Sequence, residues 1–182
     1  MSKMDFSHIS VLFQETIDSL NIKKDGLYVD CTCGGAGHSK AILELIPDGT
    51  LVAIDRDPDA IEVITERIGK FPQVEIVNDI FGNIKAILNG RKADGILADL
   101  GVSSFQLDNA ERGFSFHHDA PLDMRMSKSG KSAFDVVNGY SEQEIANIIF
   151  RYGEDKFAKS IARNIVKARG EKPIETTLEL AE

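Results

Sequence analysis

The chain is short of cysteine, of long apolar runs and of positive charge, and each shortage excludes something. Cys31 and Cys33 are its only cysteines, two positions apart in an extended segment, a poor geometry for a disulfide. Together with His38 they match no zinc spacing, so they read as small residues at a strand end and no metal site is expected. No apolar run approaches the roughly 18 residues of a membrane span. Met1 to Asp5 lacks the apolar stretch of a signal peptide, so no membrane and a cytoplasmic location are expected. The net charge of −8 argues against binding bare nucleic acid over the whole surface. The charge is uneven, however. Residues 125–172 carry 10 basic and 6 acidic side chains, against 11 and 20 in residues 1–124, so a polyanion is expected to approach the later part.

What the chain does have is concentrated between Leu27 and Ser39. Leu27 to Val29 suits a buried strand, Gly34, Gly35 and Gly37 make a tight turn, and Ser39 to Leu45 has helical spacing. Strand, glycine turn and helix bring a nucleotide-like ligand against backbone N–H groups at a helix N-terminus. A second strand, Thr50 to Ile54, ends at Asp55, 21 positions beyond Gly34. An acid at that distance can accept both hydroxyls of an adenosine ribose. The loop differs from Gly-x-Gly-x-x-Gly, and Asp30 just before it would repel a pyrophosphate but could hold a cationic group such as an ammonium. That favours S-adenosylmethionine over NAD. Asp30 as a plain turn-former is the alternative.

Along the rest of the chain, Val11 to Leu20 reads as a helix, with His8 before it as a capping or packing residue. Asp57-Pro58-Asp59 opens a helix over Ala60 to Ile68, Val74 to Val77 is a third strand, and Ile84 to Leu88 a further helix. Phe81, in the loop after the third strand, is either a core aromatic or the lining of an adenine pocket. Gly95 to Leu100 is a fourth strand that includes Asp99. This alternation predicts a parallel α/β sheet. After Gln106 the pattern changes. Residues 107–140 show little periodicity but enough apolar content for an ordered, functional loop. Ser141-x-x-Glu144 opens a helix through Tyr152, Asp155 to Arg169 forms a second with Phe157, Ile161 and Ile165 as its apolar positions, and Thr176-x-x-Glu179 opens a third.

Several blocks in fixed order carry a family resemblance: His8-Ile-Ser-Val-Leu, Asp30 to Ser39, Ile54-Asp-Arg-Asp-Pro58, Asp99-Leu-Gly-Val-Ser-Ser104 with Gln106-Leu107, Arg112-Gly-Phe-Ser-Phe116, Pro121 to Met126 and Tyr152-Gly-Glu154. From His8 to Ala181 the chain resembles the ribosomal RNA small subunit methyltransferase H family, also called MraW. The resemblance implies methyl transfer from S-adenosylmethionine to the exocyclic N4 amino group of a cytidine in 16S ribosomal RNA, with the RNA met within the assembled small subunit. It places cofactor contacts on Ala36, Gly37, His38, Asp55, Phe81, Asp99 and Gln106. It also implies a Rossmann-like methyltransferase sheet of which only four strands are present, in the order 3-2-1-4, plus a small helical domain. The expected division is a cofactor-binding half over residues 1–106 and a loop-rich, then helical, substrate domain over 107–182. Phe105 stands where the family usually has Pro, and Cys31 and Cys33 where it often has small residues. Family members run on for well over a hundred residues more, so a truncated chain is expected, with a homodimer or a missing C-terminal half as partner.

The amino nitrogen of cytosine is a poor nucleophile, and an acceptor for its hydrogens raises its electron density. Asp99 is the residue expected to do this; holding the methionine end of the cofactor is its alternative role. Phe105, Phe114 and Phe116 are candidate stacking partners for an unstacked base. Two rival functions are an NAD-dependent oxidoreductase and a non-catalytic cofactor-binding fragment.

Overall fold

The structure, a computed structural model, describes residues 12–182. His8, its sequence block up to Val11, and the start of the first predicted helix lie outside the described residues. The chain divides into two compact units that meet in sequence at Gly101 and Val102, ahead of the border expected after Gln106.

The first unit is built on four parallel strands, β1 (Leu27–Asp30), β2 (Thr50–Asp55), β3 (Val74–Asn78) and β4 (Gly95–Leu97), in the order β3-β2-β1-β4. Val29 stands between Val52 on one side and Ile96 on the other. The helices of this unit are α1 (Phe13–Ser19), α2 (Gly37–Leu45), α3 (Pro58–Ile68) and α4 (Ile84–Leu88). Alternate strand residues feed two apolar layers. Tyr28, Leu51 and Ala53 pack with Ile42, Leu43, Ile46, Ile64 and Ile68, while Val29, Val52 and Ile54 pack on the opposite face against Ile84, Ile87 and Leu88. Burial on both faces is why β1 and β2 read as unbroken apolar runs rather than alternating ones. Tyr28 is the largest side chain in this core, and its hydroxyl accepts the Lys23 N–H at 2.8 Å.

Helix α3 begins where its sequence signals point. The Asp57 carboxylate accepts the Asp59 N–H at 3.1 Å, and Pro58 occupies the first turn. Strand β4 is shorter than expected, ending at Leu97. Beyond it the chain turns toward the loop after β1, and the Asp99 N–H bonds to Thr32 Oγ1 instead of continuing the ladder.

The second unit holds α5 (Ser104–Asp108), α6 (Ala133–Gly139), α7 (Glu142–Gly153), α8 (Ala158–Arg169) and α9 (Thr177–Ala181). Capping boxes open α5, α6, α7 and α9, satisfying helix-start N–H groups in each. Backbone hydrogen bonds tie the stretch 107–140 together and to residues near Glu175. Met124 N–H bonds to Arg112 O, Leu122 N–H to Glu175 O, and Phe134 N–H to Leu122 O. The buried Arg112 guanidinium donates to Arg125 O and Met126 O at 3.0 Å each, so a charged side chain holds a loop together from inside. Helices α7 and α8 pack through Ala146 and Ala162, the latter wholly buried, with Ile145, Ile149, Ile165 and Val166 around them. The inward face of α8 is therefore centred on Ala158 and Ala162, not on Phe157 as its spacing suggested; small residues let the two backbones approach closely.

Candidate functional site

The loop from Cys31 to Ala36 is fastened on both sides. Toward β4, the Cys31 N–H donates to Leu97 O at 2.8 Å and Thr32 Oγ1 accepts the Asp99 N–H at 2.7 Å. Toward β2, the Cys33 N–H donates to Ile54 O at 3.1 Å and the Gly34 N–H to Asp55 Oδ2 at 2.8 Å. Arg67, in the last turn of α3, reaches across to Gly35 O at 2.6 Å. Gly34 takes a left-handed φ of 50°, open to glycine at no steric cost. Ala36 takes φ 62° at the N-cap of α2, a conformation a side chain adopts only under constraint. These bonds fix the loop to both neighbouring strands and to α3.

Asp55, read from its position as a ribose contact, bonds to two backbone N–H groups of its own chain. One carboxylate oxygen accepts the Gly34 N–H and the other the Asp57 N–H at 2.9 Å. It thereby couples the glycine turn to the start of the next helix. A carboxylate offers about four lone-pair sites, so acceptor capacity toward a ligand remains. Burial raises its pKa above the ordinary aspartate value, against the lowering effect of its backbone hydrogen bonds.

Asp30 differs from its expected part. It is 2% exposed, with Oδ2 accepting the Ser39 hydroxyl at 2.7 Å and Oδ1 the Thr32 N–H at 3.2 Å. Its carboxylate pins the loop to the first turn of α2, and burial raises its pKa too. The turn-forming alternative is the one its hydrogen bonds follow. Cys33 and Cys31 are buried free thiols, and burial raises the pKa of both, well above the ordinary value for Cys33. They are not poised as nucleophiles.

Among the described residues no side chain caps α2, and the N–H groups of its first turn, those of Gly37 and His38 among them, have no intrahelical acceptor. The His38 ring is buried and stacks on Phe13 at a centroid distance of 5.5 Å. Among the described residues its Nε2 has no hydrogen-bond partner. Uncapped N–H groups and an orphaned ring nitrogen at a helix start fit an anionic or polar ligand group. Asp99 lies at the same edge, exposed, with its N–H anchored to Thr32; no hydrogen bond to its carboxylate occurs among the described residues. Phe81 sits in a 3-10 turn (Phe81–Asn83) after β3 and is 46% exposed, so it is not a core aromatic.

Thus Ala36, Gly37, His38, Asp55, Phe81 and Asp99 gather at the carboxyl ends of the four strands, the edge where open parallel sheets bind ligands. Gln106 belongs to the second unit. It is buried, and its side-chain oxygen accepts the Ser103 N–H in the capping box of α5. Of the candidate stacking residues, Phe116 is 64% exposed, Phe114 lies 5.8 Å from the Arg112 guanidinium, and Phe105 is half-buried on α5. Sequence reasoning missed the bracing by Thr32, Ser39 and Arg67. Only the short Asp30-to-Ser39 spacing hinted at it.

The family model described as the MraW methylase family matches residues 5–182. The chain is 56% identical over 184 residues to the ribosomal RNA small subunit methyltransferase H of Clostridium botulinum (strain Kyoto / Type A2), covering 98% of this chain and 60% of the relative. It is 54% identical over 185 residues to the protein of the same name from Clostridioides difficile (strain 630), with the same coverage. The chain therefore spans about 60% of the length of the curated relatives it matches. Among solved structures, a precorrin-6y C5,15-methyltransferase from Geobacter metallireducens GS-15 aligns at TM-score 0.43 and 20% identity, over 58% of this chain and 57% of that one.

Proposed function

The chain belongs to the MraW methylase family, and from that premise we propose that it binds S-adenosylmethionine at the glycine loop and serves methyl transfer to the N4 amino group of a cytidine in 16S ribosomal RNA. The observation that carries this reading is the loop itself, braced between β2 and β4 beside an uncapped helix start. When bound, S-adenosylmethionine supplies a methyl group on a sulfonium whose positive charge makes the sulfur a good leaving group.

The chain's own part is to position two reactants. Asp55 accepts the ribose hydroxyls while its backbone bonds keep the glycine turn in place. The N–H groups of Gly37 and His38 receive the polar end of the methionine moiety, and Phe81 covers the adenine. Asp99, its N–H tied to Thr32, presents its exposed carboxylate as acceptor for the amino hydrogens of cytosine. The target base must leave its stack to be reached. A calorimetric titration tests the binding step: S-adenosylmethionine is expected to bind saturably and NAD not to. Preference for NAD would favour the oxidoreductase reading instead.

Acidity provides a second check. Burial holds the Asp55 and Asp30 carboxyls above the ordinary value of 3.8 in the free protein. Asp55 must be ionised to act as a charged acceptor, so cofactor affinity is expected to fall on acidification, beginning above the normal aspartate range. Asp55→Asn should flatten that part of the profile. A wild-type affinity that does not fall on acidification would contradict the assignment.

The partners are also a proposal. Among the described residues β4 pairs on one side only, and its Ile96 is 54% exposed. An apolar, unpaired strand edge recruits another strand. Light scattering is expected to find species above the monomer mass, and Ile96→Lys to reduce them. A monodisperse wild-type monomer would show that this edge needs no partner.

A further inference from the structure

We propose that the turn between α7 and α8 is a nucleobase-reading site. In it Tyr152 and Phe157 stack on unpaired bases of an RNA strand, and the Glu154 carboxylate accepts the exocyclic amino hydrogens of a cytosine. Only the choice of cytosine rests on the methyltransferase reading above; the site as an RNA contact stands on the observations that follow.

The apolar stripes of the two helices run out at this turn. On α7 the stripe passes from Ile145 through Ile148 and Ile149 toward Tyr152, and on α8 it runs from Ile165 through Ile161 to Phe157. Within the helix pair the stripe is covered, with Ile145 at 4% and Ala162 at 0% exposure. At the turn the cover ends. Tyr152 is 81% exposed and Phe157 61%. Phe157 is nonetheless held in place: its N–H donates to Asp155 Oδ1 at 2.7 Å, and the Lys156 ammonium lies 5.2 Å from its ring centroid.

The charge around these rings selects the partner. Residues 151–169 carry six basic and two acidic side chains in a chain of net charge −8. Lys156, Lys159, Arg163 and Lys167 are all exposed. An apolar protein segment would be served by the rings and gain little from the cations. A single-stranded polyanion that carries π faces uses both.

Glu154 adds a means of choosing among bases. It takes a left-handed φ of 52° as the C-cap of α7, while Gly153, the residue suited to that conformation, occupies the last helical position before it. The order Gly-Glu thus places an exposed carboxylate at a position where a glycine would fold more easily. A carboxylate accepts from the N4 amino group of cytosine and finds no donor at the corresponding oxygen of uracil.

Fluorescence anisotropy with labelled oligocytidine and oligouridine at low salt tests the site on the full chain. Tyr152→Ala with Phe157→Ala is expected to weaken oligocytidine binding by about tenfold or more. Its thermal midpoint and its S-adenosylmethionine affinity should stay at wild-type values, because both rings are exposed. Glu154→Gly is expected to raise the thermal midpoint and to bring the preference for cytidine over uridine close to unity. Wild-type RNA affinity in the aromatic double variant would overturn the proposal. So would a double variant that loses self-association by light scattering and keeps its RNA binding, which would make the turn a protein contact. A wild-type chain without preference for cytidine would remove Glu154 from the site. Failure of S-adenosylmethionine to bind the wild type would sink the cofactor reading and leave the RNA measurements as they are.

Discussion

Replacing Asp55 with alanine is expected to weaken S-adenosylmethionine binding by about 100-fold. A hydrogen bond to a charged group is worth about 1.5–3 kcal/mol, and two ribose hydroxyls are proposed to use this carboxylate. Water partly replaces the lost acceptor, so a net loss of about 3 kcal/mol is the reasonable expectation, equivalent to about 100-fold. The variant also strips the Gly34 and Asp57 N–H groups of their acceptor, which loosens the turn. Asp55→Asn keeps one oxygen in place and should fall between wild type and alanine. Circular dichroism should show both variants folded, since the apolar layers on either face of the sheet do not involve this side chain. Affinity within a few-fold of wild type for a folded Asp55→Ala protein would sink the assignment.

Reversing Lys159, Arg163 and Lys167 to glutamate is expected to weaken RNA binding by more than tenfold and to flatten its salt dependence. All three are exposed on α8, and Arg163 is engaged only loosely, 3.9 Å from Glu142. Each phosphate contact on a single strand contributes about 0.7 to the slope of log affinity against log salt, so losing three lowers it by about 2. Cofactor affinity should stay as it was, because these residues belong to the second unit and the glycine loop to the first. If the cofactor is lost and RNA binding is kept, the helix does not serve the substrate.

The strands and most helices of the first unit were legible because each carried a local signal. Apolar runs marked β1 and β2, and Asp57-Pro58 marked the start of α3. The strand order came from family resemblance, because periodicity says nothing of which strand lies beside which. Helix α6 was missed inside an aperiodic stretch, although Ser132-x-x-Asp135 is the same capping signal that revealed α7. Gln106, expected as a ligand contact, closes the Ser103 capping box of α5. Asp30 shows the deeper limit. Its charge was visible, but whether a carboxylate meets a ligand or its own loop depends on Ser39 and Thr32 arriving beside it. Phe157 falls on the apolar spacing of its helix, but spacing cannot tell where a packed face stops. In the structure the buried face runs through Ala162 to Ala158, and Phe157 beside it is exposed.

The measurement that tests the central claim most directly is amide chemical-shift mapping of the isotope-labelled chain during titration with S-adenosylmethionine, with NAD as the control. The account expects saturable shifts at Gly34, Ala36, Gly37, His38, Asp55, Phe81 and Asp99, and none of comparable size with NAD. Shifts confined to other parts of the chain, or equal shifts with both cofactors, would contradict it.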